Sequence, residues 1–375
     1  MLRARLLLIA LLLAPVSIDA ADPAPLRMNE LQVIGSHNSY HVEPHASMVE
    51  LINSAGGKAA EGLQYSHPPL DEQFSRLGIR QIELDVFCDP QGGHYAKPRG
   101  LARLQAAGKA HPAWDPDGVM QRPGFKVLHV PDIDFVSTTP LLTDALQALQ
   151  QWSSGHPAHV PMLVLLELKE SAPSGDFTKP LAFTARDLDQ LDEVIRQTIP
   201  AGQLLTPDSL RGEYPTLRAA IQAQGWPTLD SVRGRLLFAL DNENAVRELY
   251  LKDHPALHGR VLLTSVPADH PAAGFMKLND PEQDFDKIQP AVRDGFLVRT
   301  RADVGTRQAR RNVGTLRDRA LATGAQFVST DYAEADPRWS DYSVTLPNRV
   351  IARPNPLLRP DAPLADLDGV PRTKR

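Results

Sequence analysis

The chain has 375 residues, of which 42% are hydrophobic and 23% are charged, and its formal net charge is -5 at pH 7. This composition is typical of a globular protein, and the chain is long enough for one large domain or two ordinary ones. The mildly acidic balance disfavours nucleic acid as a partner and provides no electrostatic attraction to anionic membranes. The sequence has one cysteine, Cys88, which excludes an internal disulfide.

The first twenty residues have the pattern of a secretory signal peptide. They combine a basic start, an apolar run of roughly ten residues and small residues at Ala20 and Ala21. The run is shorter than the about 20 residues that span a bilayer. We therefore predict that residues 1–20 are cleaved and that the mature protein is secreted or periplasmic.

Apolar, β-branched runs alternate with helical patterns along the rest of the chain. Eight runs are predicted as strands: residues 31–39, 79–87, 126–130, 162–169, 235–242, 261–266, 295–302 and 326–332. Four segments have apolar residues three and four apart and are predicted as helices: residues 141–152, 185–198, 244–253 and 306–323. Eight alternations favour an α/β fold of the (β/α)8 TIM-barrel type, possibly distorted, over a doubly wound sheet. Residues 21–349 would form this single domain.

Two stretches interrupt the alternation. Residues 88–125, which follow the second predicted strand, are rich in Gly, Pro and His and are too long for an ordinary connection. We predict that they form either an active-site loop or lid, or a surface loop without a role in the active site. The tail, residues 350–375, contains five prolines and is expected to run extended over the surface or to be disordered.

Polar side chains of the types that catalyse reactions or bind metal ions lie at the ends of the first four predicted strands. Carboxyl ends of neighbouring strands share one rim in a barrel, and barrel active sites are built at that rim. The residues are His37 and Asn38 in the first strand, Glu83 and Asp85 on one face of the second, His129 in the third, and Glu167 with Lys169 in the fourth.

These residue types indicate phosphoryl-transfer chemistry. One amide and three carboxylates offer only oxygen ligands, which suit calcium or magnesium and disfavour zinc. Two histidines from separate strands suit a general base and a general acid. The candidate metal ligands are Asn38, Glu83, Asp85 and Glu167, and the candidate catalytic residues are His37 and His129.

The order of these motifs resembles a known group of enzymes. The string GSHNSYH, followed by IELDV, VLHV, LELK and finally GAQFVSTDY, is similar to secreted bacterial calcium-dependent phosphatidylinositol-specific phospholipases C. These belong to the PLC-like phosphodiesterase superfamily. The resemblance extends from about residue 30 to about residue 335 and implies a TIM barrel of that type, with residues 21–349 as the catalytic domain.

The resemblance also implies roles for the matching residues. His37 would take the proton from the inositol 2-hydroxyl, and His129 would stabilise the phosphorane and help to protonate the diacylglycerol oxygen. The amide and carboxylates named above would bind Ca²⁺. The first product would be an inositol cyclic phosphate, and the open phosphate would follow by hydrolysis. A phospholipid substrate also implies transient contact with a membrane surface, whereas the oligomeric state does not follow from the sequence.

Three residues are predicted to bind substrate, each with an alternative. Lys169 would contact phosphate or inositol hydroxyls, or form a salt bridge that holds Glu83 or Glu167. Arg301 at the end of the seventh strand would contact substrate, or pair with Asp303 or Asp331. Tyr332 would stack on the inositol ring, or close the barrel as a buried aromatic residue. We predict Lys169, Arg301 and Tyr332 as the substrate-binding set.

Other polar residues near the motifs have less specific interpretations. Asp132 and Asp134 would either orient His129 or cap the loop. Four further histidines are expected on the surface: His41, His45, His156 and His159. The basic run of Arg307, Arg310 and Arg311 predicts either a solvated helix face or a site for a polyanionic headgroup.

Three other functions remain open at this level. A glycerophosphodiester phosphodiesterase shares the barrel and the Glu-x-Lys string of Glu167 and Lys169, but that family usually has arginine after its first histidine, where this chain has Asn38. A sphingomyelinase D-like phospholipase would use Mg²⁺ with a similar arrangement. The third is a barrel that binds its ligand without catalysis.

Overall fold

The computed structural model describes residues 25–54 and 56–373. The predicted signal peptide lies outside these residues. Among the described residues, no helix is both long enough and apolar enough to cross a membrane.

The strands of the described residues form one mainly parallel sheet. Parallel pairs run in the order β7-β6-β4-β2-β1-β10-β9-β8, and the Ser265–Phe275 bridge joins β7 to β8, so that eight strands follow each other around a barrel. The strands are β1 (Leu31–Ser36), β2 (Gln81–Phe87), β3 (Lys126–Val127), β4 (Met162–Leu168), β5 (Leu204–Leu205), β6 (Leu236–Leu240), β7 (Leu262–Thr264), β8 (Phe275–Lys277), β9 (Leu297–Arg301), β10 (Phe327–Thr330) and β11 (Ala352–Pro354).

The barrel confirms the predicted fold and is distorted at two junctions. β1 and β2 share one paired position, Gly35 with Gln81, and β7 and β8 share only the bridge already named. By contrast, β2 and β4 pair over six positions. The barrel is therefore held most firmly on the side that carries Glu83, Asp85 and Glu167.

All eight predicted runs contain a strand, but one prediction about the barrel was wrong. β3 is antiparallel to β2, with Val127 opposite Val86, and so is not one of the eight parallel strands. The place is taken by β8, Phe275–Lys277, whose three residues are too few for a periodic pattern. β5 and β11 also lie outside the predicted runs.

Helices cover the outside of the barrel and largely match the prediction. They are α1 (Ala46–Ser54), α2 (Leu70–Glu72), α3 (Arg99–Ala106), α4 (Leu142–Gly155), α5 (Ala185–Thr198), α6 (Pro207–Arg211), α7 (Leu217–Gln224), α8 (Ala245–Leu251), α9 (Phe285–Arg293), α10 (Arg307–Arg311) and α11 (Thr315–Ala322). The helix predicted over residues 306–323 is divided into α10 and α11. Asn312, with φ at 50°, adopts the left-handed conformation that ends the first of them.

The barrel strands are apolar because both of their faces are covered. β4 (MLVLLEL) and β6 (LLFAL) are almost continuous apolar runs, and every residue of β6 is buried. Such runs are expected where helices cover a parallel sheet whose other face lines the barrel interior. The polar residue near the end of β4, Glu167, is the exception, and it lies at the carboxyl rim.

The long segment after β2 has its own small core and contains α3. Phe87, Tyr95 and Met120 are buried in one cluster, while Leu101 and Phe135 belong to another. The predicted long loop is thus present. Whether it acts as a lid stays a prediction.

The proline-rich tail runs over the outside of the barrel and packs against it, which agrees with the expected extended course over the surface and not with the alternative of disorder. Its strand β11 pairs antiparallel with β1, and Asn355 is fully buried. Farther along, Asp368 forms a buried ion pair with Arg80, with 2.6 Å between Oδ2 and Nε. The same carboxylate accepts hydrogen bonds from the backbone N–H groups of Val160 and Val370.

Substitution of Asp368 by Asn should destabilise the protein strongly. It leaves the fully buried guanidinium of Arg80 without its counter-charge, and breaking a buried pair in this way costs about 3–5 kcal/mol. Urea unfolding followed by circular dichroism measures the loss. Asp361→Asn removes an exposed acid from the same tail and should change the free energy of unfolding little; equal effects of the two substitutions would refute the ion-pair argument.

Candidate active site

The first strand delivers a histidine and an amide to the rim through a sharp backbone turn. Asn38 has φ at 45°, a left-handed conformation that asparagine tolerates better than most residues. The turn places His37 against the last barrel strand. Nδ1 of His37 lies 2.7 Å from Oδ1 of Asp331, the residue that follows β10.

Asp331 determines which nitrogen of His37 is available to a substrate. Burial opposes ionisation of Asp331, but its hydrogen bond with the His37 ring and the nearby Arg301 guanidinium hold the pKa of its carboxyl below the usual range. The ionised carboxylate accepts a hydrogen bond from Nδ1–H. Nε2 is then the nitrogen with a free lone pair, and it lies 3.8 Å from Oε1 of Glu83.

His37 is held in its neutral form. Burial, followed by the charge of Arg301, lowers the pKa of His37 to about 4. Nη2 of Arg301 lies 3.2 Å from Nδ1 of His37 and 3.3 Å from Oδ2 of Asp331. Because a guanidinium only donates and Nδ1 already donates to Asp331, the first of these contacts is a charge contact. A neutral imidazole is the form that accepts a proton.

The second candidate histidine also has a carboxylate partner. His129 follows β3, which runs antiparallel to β2, so the chain returns toward Asp85 rather than leaving the rim. Nδ1 of His129 donates to Oδ2 of Asp134 at 2.6 Å. From the other side, Nε2 of His41 contacts the same carboxylate at 2.9 and 3.0 Å. Asp134 thus joins two imidazoles.

His129 differs from His37 in its protonation. Burial disfavours its charged form, but the hydrogen bond and charge of Asp134, together with the charge of Asp85, raise the pKa of His129 above the usual value. A proton is therefore retained to higher pH. Both imidazoles are accessible, with 25% of the His129 side chain and 17% of the His37 side chain exposed.

The predicted metal ligands stand at the carboxyl ends of β1, β2 and β4, and the structure brings their carboxylates together. Oxygen atoms of Glu83 and Glu167 lie within 4.8 Å of one another and of Asp241, which follows β6. The fourth carboxylate, Asp85, is linked to Glu167 through Lys169, whose Nζ lies 3.1 Å from a carboxylate oxygen of each. We refer to Glu83, Asp85, Glu167 and Asp241 as the carboxylate basin.

Three cations partly balance the carboxylate basin. Arg299 pairs with Glu83, Lys169 with Asp85 and Glu167, and Lys277 with Asp241 at 2.9 Å. Even so, burial, the largest effect, raises the pKa of Glu83 to about 8, against the opposing charge of Arg299. Burial and the neighbouring Asp85 also raise the pKa of Glu167. The basin therefore combines four carboxyl groups with three paired cations, and burial makes full ionisation of the four groups unfavourable.

Several oxygen atoms at this site fit a bound cation. Oδ1 of Asn38 is buried and accepts no hydrogen bond from the described residues, and the same is true of both carboxylate oxygens of Asp85 and of Oδ1 of Asp241. The Lys169 contact with Asp85 is an ion pair without hydrogen-bond geometry. Since buried polar atoms normally have partners, this oxygen-only donor set suits a hard divalent cation such as calcium.

The substrate-binding residues predicted from sequence fall into two groups. Lys169 and Arg301 face the site, and each also forms the ion pair that was its alternative, with Glu167 and Asp331 respectively. Tyr332 is buried, with 3% of its surface exposed, and packs edge-on against Tyr342. Its position is that of the barrel-closing aromatic residue, and stacking on an inositol ring stays a prediction.

Other local predictions have mixed outcomes. Asp134 orients His129, and Asp132 caps the loop by accepting from the backbone N–H groups of Arg99 and Thr178. The expectation that His41 and His159 are surface residues was wrong, because both are fully buried. Each imidazole has hydrogen-bond partners on both nitrogens, which compensates for its burial.

Sequence reasoning missed the parts played by Asp241, Asp331 and His41. Asp241 stands directly after β6, as Asp331 does after β10, so position at a strand end was an available signal for both. His41 gave no such signal. It lies between β1 and α1, and its surroundings are defined by Tyr65 and by Asp134, which is 93 residues away in the chain.

Comparison with known proteins identifies the family. Residues 26–356 match the family model described as phosphoinositide phospholipase C, Ca²⁺-dependent. The chain belongs to this family. It is thus a member of a family of phosphodiesterases, as the motifs predicted. No curated protein matches the sequence.

A solved structure similar to this phospholipase C family member has the same fold. The calcium-dependent phosphoinositol-specific phospholipase C of a Pseudomonas species, in a myoinositol complex, has 14% identity and a TM-score of 0.50, covering 89% of this chain and 97% of that one. A calcium-dependent phosphatidylinositol-specific phospholipase C from Streptomyces antibioticus has 16% identity and a TM-score of 0.49, covering 82% and 95%.

Replacement of Asp134 by Asn should lower the pKa of His129. The carboxylate stabilises the imidazolium through its charge and hydrogen bond, and the amide removes the charge. Titration of the histidine ring protons by NMR measures the change, with Asp117→Asn, an exposed acid in the same long segment, as the control. An unchanged His129 titration in Asp134→Asn would show that another group determines its protonation.

Proposed function

We propose that this chain is a secreted, calcium-dependent phosphodiesterase that cleaves phosphatidylinositol to diacylglycerol and an inositol cyclic phosphate. The observation that carries the proposal is a pair of accessible histidines, each in contact through Nδ1 with a buried carboxylate, together with buried oxygen atoms that have no hydrogen-bond donor among the described residues. Burial and Arg301 lower the pKa of His37, whereas Asp134 raises the pKa of His129. Environments that separate the pKa values of two groups assign one as base and the other as acid.

His37 supplies the base. Nε2 takes the proton of the inositol 2-hydroxyl, while Nδ1–H remains hydrogen-bonded to Asp331. As the hydroxyl oxygen forms its bond to phosphorus, His37 becomes positively charged. Asp331 then stabilises the new charge and keeps the ring in position.

His129 supplies the acid. As the bond between phosphorus and the glycerol oxygen breaks, the leaving oxygen takes the proton of His129 and diacylglycerol departs. Asp134 holds the ring through Nδ1, which leaves Nε2 as the donor. Reversal of the two roles with water in place of the glycerol oxygen hydrolyses the cyclic phosphate and restores both histidines.

The carboxylate basin and Asn38 would hold calcium. When bound, the cation supplies positive charge that lowers the pKa of the attacking hydroxyl and stabilises charge on the phosphate oxygens. The ligands are those predicted from sequence, Asn38, Glu83, Asp85 and Glu167, with Asp241 added from the structure. The family is calcium-dependent, and no observation supports the magnesium alternative.

Two cations would position the substrate beside these groups. Arg301 touches the His37–Asp331 pair, and Lys169 lies between two carboxylates of the basin. Both guanidinium and ammonium groups bind phosphate oxygens well. The lipid is reached by transient contact with a membrane surface, after export directed by residues 1–20.

Incubation of purified protein with phosphatidylinositol in detergent micelles tests the function. Phosphorus NMR should detect a cyclic phosphate that forms with calcium and is absent with a chelator. His37→Ala should lower turnover by about 10²- to 10⁴-fold, the usual contribution of a general base. His45→Ala, which removes an exposed histidine nearby, should leave turnover unchanged.

Two results would contradict this proposal. Turnover that persists in chelator would remove calcium from the reaction. Cleavage of glycerophosphoinositol without action on the intact lipid would instead identify a glycerophosphodiester phosphodiesterase.

Calcium binding can be measured without activity. Because a ligand that binds only the folded state stabilises it, calcium should raise the melting temperature of the protein. Asp241→Asn should reduce this increase, since it removes one carboxylate of the basin. Glu243→Gln removes a more exposed carboxylate two residues away and should retain it; an equal increase in all three proteins would exclude Asp241 as a ligand.

A further inference from the structure

Two histidines from different parts of the chain converge on one buried carboxylate. Oδ2 of Asp134 lies 2.6 Å from Nδ1 of His129 and 2.9 Å from Nε2 of His41. One ligand atom from each of the three side chains lies within 4.8 Å of those of the other two. We refer to these three side chains as the imidazole cluster. They are separate from the four members of the carboxylate basin.

The imidazole cluster and the carboxylate basin offer different kinds of donor atom. The cluster has two imidazole nitrogens and one carboxylate oxygen, which are ligands that zinc prefers. The basin has oxygen atoms only, which suit calcium. The two sets of ligands would therefore select different metal ions from the same solution.

His41 is oriented in the way that metal-binding histidines are. Its Nδ1 lies 3.0 Å from the backbone carbonyl oxygen of Tyr65, and because that oxygen only accepts, Nδ1 carries a proton. Nε2 then faces Asp134. The ring is fully buried and is stacked on the Tyr65 ring, with 4.3 Å between the centroids. Histidine ligands of metals normally donate their second N–H group in this way.

Two protons occupy the positions that a zinc ion would take. Nε2 of His41 and Nδ1 of His129 both face the Asp134 carboxylate, which accepts from each of them, so each nitrogen carries a proton. A zinc ion has the charge of two protons and would release these two to solvent when it binds. The charge within the imidazole cluster would then stay the same, so burial does not oppose the exchange.

One side of the imidazole cluster can adjust and is open to solvent. A tetrahedral zinc ion with bonds of about 2.0–2.1 Å holds its ligand atoms about 3.3 Å apart. The hydrogen-bonded atoms would therefore separate by less than about 1 Å. His129 can make this adjustment, since 25% of its side chain is exposed, whereas His41 and Asp134 are buried. The exposed side also gives the ion a route of entry.

We propose that the imidazole cluster is a second metal site, which binds zinc and thereby inhibits the phosphodiesterase. The site stands on the geometry of the three side chains, and the inhibition rests on the function proposed above, in which His129 is the acid. Zinc on Nδ1 leaves the His129 ring with one proton, on Nε2. Transfer of that proton to the glycerol oxygen would leave a zinc-bound imidazolate anion in place of a neutral ring, so the acid is disabled.

Equilibrium dialysis of the untagged full chain against zinc chloride tests the site without turnover. Saturating calcium is present to occupy the carboxylate basin. The parent protein should retain one tightly bound zinc ion. His41→Gln should bind it more than about 100-fold more weakly, since an outer-shell partner alone contributes about 10- to 100-fold to affinity. His258→Gln, which removes an exposed histidine outside the imidazole cluster, should bind zinc as the parent does.

Two results of the dialysis would overturn the proposal. Equal zinc affinity of the parent, His41→Gln and His258→Gln would place the ion outside the imidazole cluster. Displacement of zinc by an increase in calcium would place it in the carboxylate basin.

NMR of the parent protein with isotope-labelled histidine rings decides the same point if His41→Gln does not fold. Zinc should move the ring signals of His41 and His129 together, in a one-to-one titration, because both rings bind the same ion. The signals of His258 should stay in place. Movement of signals from other histidines alone would show a surface site and contradict the proposal.

Cleavage of phosphatidylinositol in detergent micelles tests the inhibition. Zinc should lower turnover of the parent by about 10²- to 10⁴-fold at saturation, the usual contribution of a general acid, and more calcium should not restore it. His258→Gln should respond to zinc as the parent does. Recovery of turnover on addition of calcium, or zinc bound at the imidazole cluster without loss of turnover, would overturn the inhibition.

These outcomes are distinguishable from failure of the proposed function. A parent protein that does not cleave phosphatidylinositol under any condition would refute the proposed function. Dialysis and NMR would still decide whether the imidazole cluster binds zinc.

Discussion

Accumulation of negative charge at one end of the barrel is the constraint on which the site depends. Glu83, Glu167 and Asp241 have oxygen atoms within 4.8 Å of one another, and Asp85 adds a fourth carboxylate through Lys169. Like charges this close disfavour ionisation, and burial disfavours it further. Nearby strands contribute cations to the same end, yet several oxygens stay without donors. A calcium site follows from this imbalance more directly than from any single motif.

The two histidines show how one type of contact can have two outcomes. Both donate from Nδ1 to a buried carboxylate, His37 to Asp331 and His129 to Asp134. Burial disfavours the charged form of both rings. The charge of Arg301 adds to this effect and lowers the pKa of His37, whereas Asp134 and Asp85 outweigh burial and the charge of Lys169 and raise the pKa of His129. The proposed base and the proposed acid are thus the same type of side chain in different surroundings.

The strand β9 contributes two arginines to the site. Arg299 and Arg301 alternate with Thr300, so both arginine side chains face the barrel interior. One balances Glu83 and the other contacts His37. The chain then continues into α10, two of whose arginines line a cavity together with Arg301. The α10 helix ends at Asn312, and this break separates its cationic face from α11.

The sequence by itself determined the fold class, the family resemblance and the residues at the strand ends, since periodicity and short motifs are local properties. Residue types at the strand ends indicated metal-assisted phosphoryl transfer, and the order of the motifs supplied the resemblance to phosphodiesterases. Local pattern failed for β8 and for the antiparallel β3, which are too short to reveal their direction. The local pattern also did not identify Asp241 as a member of the carboxylate basin.

Only the tertiary structure decided which groups act together. His37 meets Asp331 across 294 residues, and His41 meets Asp134 across 93. Protonation depends on burial and on charges within a few ångströms. Those distances are set by closure of the barrel, which a linear pattern does not contain. The base and the acid therefore become recognisable only when distant strand ends share one rim.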